Sequence, residues 1–80
     1  MLRPTVIYVE PREDYLLYLE FDNGEKKFFD MKPYIKGDFY GQLANKEYFQ
    51  KVKANGFSVE WPKEQDICPD NLYYDSVKAN

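Results

Sequence analysis

Residues 15 to 21, YLLYLEF, put Tyr15, Leu17, Leu19 and Phe21 on one side of an extended chain and Leu16, Tyr18 and Glu20 on the other. A period of two marks a half-buried strand. Asn23-Gly24 follows directly, and because a two-residue type I′ turn needs positive φ at both central positions, this dipeptide predicts a hairpin. Counting outward from the turn sets Phe21 against Lys26, Glu20 against Lys27, Leu19 against Phe28 and Tyr18 against Phe29. Opposite charges and apolar neighbours then face each other, and only Asp22 against Glu25 is unfavourable, at the tip. Upstream, Thr5 to Val9 is β-branched and aromatic between Pro4 and Pro11, which reads as a first strand.

Beyond the hairpin the alternation breaks. Asp30 to Gly41 carries Pro33, Gly37 and Gly41, with Tyr34, Ile35, Phe39 and Tyr40 available to fold back on the sheet, and one helical turn is expected there. Asn45 is placed to cap a short helix, KEYFQ, with Glu47 in its first turn where the helix dipole favours negative charge. Asn55-Gly56 fits a helix terminus or a second hairpin. The hairpin is preferred, with the helix ending near Gln50, because Lys51 then faces Glu60, Val52 faces Val59, Ala54 faces Phe57, and Phe57, Val59 and Trp61 share a face. Asp70 is expected to cap a last helix, NLYYDSV, carrying Leu72, Tyr73 and Val77. The architecture predicted is α+β in one domain over residues 1–80: a small antiparallel sheet built from two β-hairpins plus an N-terminal strand, with two short helices.

Composition narrows the chemistry. Eight Tyr, six Phe and one Trp among 80 residues let a few rings do the work of many aliphatics in a small core. Histidine is absent, which removes the commonest general base and metal ligand. A net charge of −3 opposes phosphate binding, so direct contact with nucleic acid is not expected and a basic partner is. The lysines at 26, 27, 51 and 53 read as solvated strand faces. The longest apolar run, Tyr15 to Leu19, is far too short to cross a membrane. One cysteine and no visible secretory signal point to the cytoplasm.

The segment WPKEQDICPD, residues 61–70, is the one stretch with the look of a catalytic loop. Asp66 and Asp70 lack the oxygen count and glycine spacing of a calcium loop, and turn and cap roles are expected for them. Cys68 has no histidine to activate it and is expected to be a buried, inert thiol. Trp61 closes an alternating strand and reads as the lid of the core, with Pro62 ending the ladder. No catalytic, metal or cofactor site is therefore assigned.

Taken in order, DYLLYLEFDNGEKKFFDM, LANKEYFQKVK and WPKEQDICPDNLY resemble the small bacterial family called domain of unknown function 2442. They match its strand, turn, strand and Asp motif, its Leu-to-Phe stretch, and its Trp-Pro to Leu-Tyr ending. Glu64 stands where the family often has glycine. The resemblance implies a small α+β domain, with relatives either joined to a helix-turn-helix segment or standing alone in toxin-antitoxin-like pairs. No appended DNA-reading helices are expected between the matched ending and Asn80.

These readings converge on a non-enzymatic protein-interaction module, with an antitoxin-like acidic member of a two-protein pair as its concrete form. Tyr40, Tyr73 and Tyr74 are the partner-binding candidates, with Tyr8 and Tyr34 also beyond what so small a core needs. The alternative is a regulatory domain that binds a small ligand or a peptide strand.

Overall fold

The computed structural model describes residues 4–56 and 58–79. The chain folds as α+β, with strands β1 (Val6–Arg12), β2 (Leu16–Phe21), β3 (Lys26–Asp30), β4 (Lys53–Ala54), β5 (Val59–Glu60) and β6 (Val77–Lys78). The helices are α1 (Gly37–Tyr40), α2 (Lys46–Phe49) and α3 (Pro69–Tyr74), joined by 3₁₀ turns at 13–15, 32–34 and 41–44. An antiparallel sheet runs β1-β2-β3-β6, and β4 and β5 form a separate two-stranded ribbon. The two hairpins therefore lie in different sheets rather than in one.

The alternation of β2 decides which side is inside. Leu17, Leu19 and Phe21 are buried together with Phe29 of β3 and Val6 of β1. Met31, directly after β3, and Leu43, Phe49, Val59, Trp61, Ile67 and Leu72 complete the core. Full burial of such a side chain stabilises by about 1.5–3 kcal/mol, which is how four- and six-residue helices persist here when they would be marginal alone. The α2 helix is also capped as expected, the Asn45 side chain accepting from the N–H groups of Glu47 at 2.9 Å and Tyr48 at 3.2 Å.

The first hairpin forms at Asn23-Gly24 but in a different register. Phe21 N–H donates to the Glu25 carbonyl at 2.9 Å and Gly24 N–H to the Phe21 carbonyl at 3.0 Å. Only Gly24 has positive φ, at 89°, so the loop has three residues instead of the two of a type I′ turn. Tyr18 thus pairs with Phe28, Leu19 with Lys27 and Glu20 with Lys26. A one-residue slip exchanges the faces of β3, so Phe29 and Lys27 point inward and Phe28 outward. Lys27 is consequently buried, contrary to a solvated strand face, and its Nζ donates to the Tyr73 carbonyl at 3.1 Å while lying 3.9 Å from the centre of the Tyr73 ring.

The second hairpin also exists, with Lys53, not Lys51, opposite Glu60 and Ala54 opposite Val59. The α2 helix ends at Phe49 with Gln50 as its C-cap. Phe57 lies outside the described residues. Trp61 is fully buried, packs against Phe49 with ring centres 5.8 Å apart, and donates its indole N–H to the Phe49 carbonyl at 2.9 Å. The connection after β3 holds more helix than one turn. Near the end of the chain, Cys68 occupies the N-cap position, Pro69 opens α3, and Asp70 falls inside its first turn. Proline at that position needs no N–H partner and already has a helical φ, so the helix starts there and not after Asp70. Val77 leaves the helix altogether and pairs with Phe28 across β3 and β6.

Candidate contact surface

One face of the sheet is sealed by the core, and the other carries its own rings. On the outer face, Glu10, Tyr18, Phe28 and Val77 stand opposite one another across β1, β2, β3 and β6. Flanking this row on one side are Tyr8, Glu20 and Lys26, and on the other Arg12, Leu16 and Asp30. Tyr8 and Tyr18 pack edge to face at 6.3 Å, and Tyr18 and Phe28 are 5.6 Å apart. The Arg12 guanidinium lies 5.0 Å from the Tyr18 ring centre and 5.8 Å from that of Phe28. None of Tyr8, Leu16, Tyr18, Phe28 or Val77 belongs to the core cluster, and Tyr8 is 45 % and Val77 65 % exposed. Burial against its neighbours, then a 2.9 Å bond to Glu20 and that carboxylate's charge, push the Tyr18 phenol upward, with Arg12 opposing.

The β1 edge of this sheet is less inviting than its face. β1 carries a register shift between Val6 and Tyr8 and a proline, Pro11, that has no N–H to offer. Bulges and prolines are how edge strands are blunted against further pairing.

The helical side holds the tyrosines expected to meet a partner. The Tyr40 hydroxyl donates to the Asp66 carbonyl at 3.1 Å. Tyr73 packs on Phe21 at 5.1 Å, and its hydroxyl donates to Glu25. Tyr74 stacks edge to face on Tyr73 at 5.1 Å and is 68 % exposed. Tyr73 and Tyr74 are thus one unit at the end of α3, and Tyr40 lies toward its start. The bond from Tyr73, reinforced by Asn23 and the nearby lysines, holds the Glu25 carboxyl below its ordinary range against the opposing effect of burial.

Cys68 is exposed, contrary to the buried thiol expected, because it sits on the turn into α3 and not within the strand or helix it joins. With Tyr34, Tyr40, Asp66, Ile67 and Asn71 it borders a hollow of about 210 Å³. A wider cleft of about 610 Å³ lies between Pro11–Tyr15 and Lys46, Phe49 and Gln50. Among the described residues no group of three or more His, Cys, Asp or Glu is placed to hold a metal ion, and no helix is long and apolar enough to cross a membrane.

The outer row went unassembled in the sequence because the predicted register put Tyr18 against Phe29. A signal was nevertheless present. Phe28 and Phe29 are adjacent in a strand, so one ring must face away from the core in any register.

No curated protein and no solved structure matches the chain. The family model for DUF2442, protein of unknown function, matches residues 6–78, nearly the whole length, and the chain belongs to that family.

Proposed function

We propose that this chain is a non-enzymatic protein-interaction module of the bacterial cytoplasm whose principal contact surface is the outer face of the β1-β2-β3-β6 sheet. The carrying observation is the Tyr18–Phe28–Val77 row, flanked by Tyr8 and Arg12: aromatic residues and arginine are the types enriched at protein contacts, and these stand outside the core. The absence of histidine from the sequence supports contact over chemistry.

The acidic character of the chain supports a second contact, with a basic protein, on the helical side. There Tyr74 is exposed beside Asp75 and packs on Tyr73 at the end of α3, and Tyr40 of α1 bonds to the Asp66 carbonyl ahead of its start. This is the antitoxin-like form of the reading, and complementary charge would chiefly speed encounter. The test is site-specific photo-crosslinking in the native host. A reactive side chain at Tyr8 or Val77 is expected to capture a protein chain, and one at Lys63 is not. Equal capture from all three positions, or none from the sheet, would contradict the proposal.

A further inference from the structure

We infer that the occupant of the outer sheet face is a second copy of this chain, docked face to face about a twofold axis along the Glu10–Tyr18–Phe28–Val77 row. This rests on the reading of that face as a contact surface and goes on to name what fills it. The first argument is charge. Arg12 and Lys26 stand against Glu10, Glu20 and Asp30, so the face is near balance although the whole chain carries −3. A basic protein would find little surplus charge here, whereas a copy would meet no strong repulsion.

The second argument is placement. Strands β1, β2 and β3 carry matching flanks about the same row: Glu10 lies midway between Tyr8 and Arg12, Tyr18 between Glu20 and Leu16, and Phe28 between Lys26 and Asp30. Rotation by half a turn about that row exchanges the flanks. Lys26 then meets Asp30 of the second copy, which its own Lys32 also holds at 3.1 Å, and Tyr8 meets Arg12 of the second copy, an ion pair and a cation–π contact that each occur twice, while Glu20, bonded to the Tyr18 hydroxyl at 2.9 Å, falls beside Leu16 of the second copy. Along the axis Tyr18, Phe28 and Val77 meet their own equivalents, which supplies the apolar centre such an interface needs. Glu10 falls at the end of the axis, where Arg12, 2.6 Å away, offsets its charge.

The experiment is sedimentation equilibrium of the full chain across a concentration series. Wild type is expected to move from one-copy to two-copy mass as concentration rises. Lys26→Asp and Asp30→Lys, each setting like charges opposite one another, should each weaken the dimer by about tenfold. The double exchange of both residues should recover most of that loss, which neither misfolding nor a contact elsewhere would produce. A wild-type chain of one-copy mass throughout overturns the inference, as does a dimer indifferent to both single exchanges. If crosslinks from Tyr8 or Val77 then captured a different protein, the contact reading would survive and only the second copy would fall.

Discussion

The two faces of one sheet are built from the same kinds of residue and do different work. Phe29 points inward among Leu17, Leu19 and Met31 and is almost wholly buried, while its neighbour Phe28 points outward onto Tyr18 and leaves the core cluster. A ring in a strand is thus no statement of core membership. What separates the two is whether another layer arrives: Leu43, Phe49, Trp61 and Leu72 close the inner face, and the outer face keeps its rings beside Arg12 and three carboxylates.

The largest expected difference between the faces is in stability. Phe29→Ala should cost about 3–5 kcal/mol by urea denaturation, because it opens a cavity among fixed neighbours. Phe28→Ala should cost about 1 kcal/mol or less, since its ring packs on one side only. Comparable losses at both positions would break the comparison, for the outer face would then be core as well.

How much of this was readable beforehand follows from the same two residues. The strand β2, its inward side, the hairpin at Asn23-Gly24, the Asn45 cap and the buried Trp61 all rest on local patterns and appear where expected, except that Tyr15 lies in the 3₁₀ turn before β2 and β1 runs on through Pro11 to Arg12. The register of β3 does not. It depends on whether Asn23 adopts positive φ, which the dipeptide permits and the structure declines. One residue of slip turned Lys27 from a solvated lysine into a buried one and Phe28 from core to surface. Val77 was lost to a different cause, since its pairing with Phe28 spans 49 positions of sequence, and no local pattern announces a two-residue strand. The Cys68 environment was missed because the start of α3 was read at Asp70 and not at Pro69.

The turns offer a finer test. The loop after β5 repeats the bonding of the first hairpin: Trp61 N–H donates to the Gln65 carbonyl and Glu64 N–H to the Trp61 carbonyl, both at 2.9 Å. Glu64 sits where Gly24 does, with φ of 72° against 89°. A left-handed backbone is unfavourable for a residue with a Cβ, so Glu64→Gly should raise stability by about 0.5–1 kcal/mol, and Gly24→Ala should lower it by about 1 kcal/mol. Thermal unfolding of the two variants checks both signs.

A smaller effect is expected on the acid limb. Glu25 titrates below its ordinary range in the folded chain, held by Tyr73 and Asn23, so its contribution is fully present above the ordinary glutamate pKa and lost as pH falls through the lowered value. Glu25→Gln should flatten the stability profile on that limb by lowering stability at neutral pH, and leave the acid end nearly unchanged. An unaltered acid profile would show that the Tyr73 contact does not hold α3 to the hairpin. Least of all should Cys68→Ala matter. Its side chain is exposed, on neither sheet face, and a change within about 0.5 kcal/mol is expected by denaturation.

The central claim, that the outer face is open in a single chain and covered by another, is read most directly by NMR with a soluble paramagnetic agent over a dilution series. The account predicts that ring protons of Tyr8, Tyr18 and Phe28 are shielded at high concentration and broaden on dilution, while Tyr74 broadens at every concentration. Shielding of the three rings that persists at the lowest concentration would mean the chain covers its own face. Full broadening at every concentration would mean that no second copy ever does.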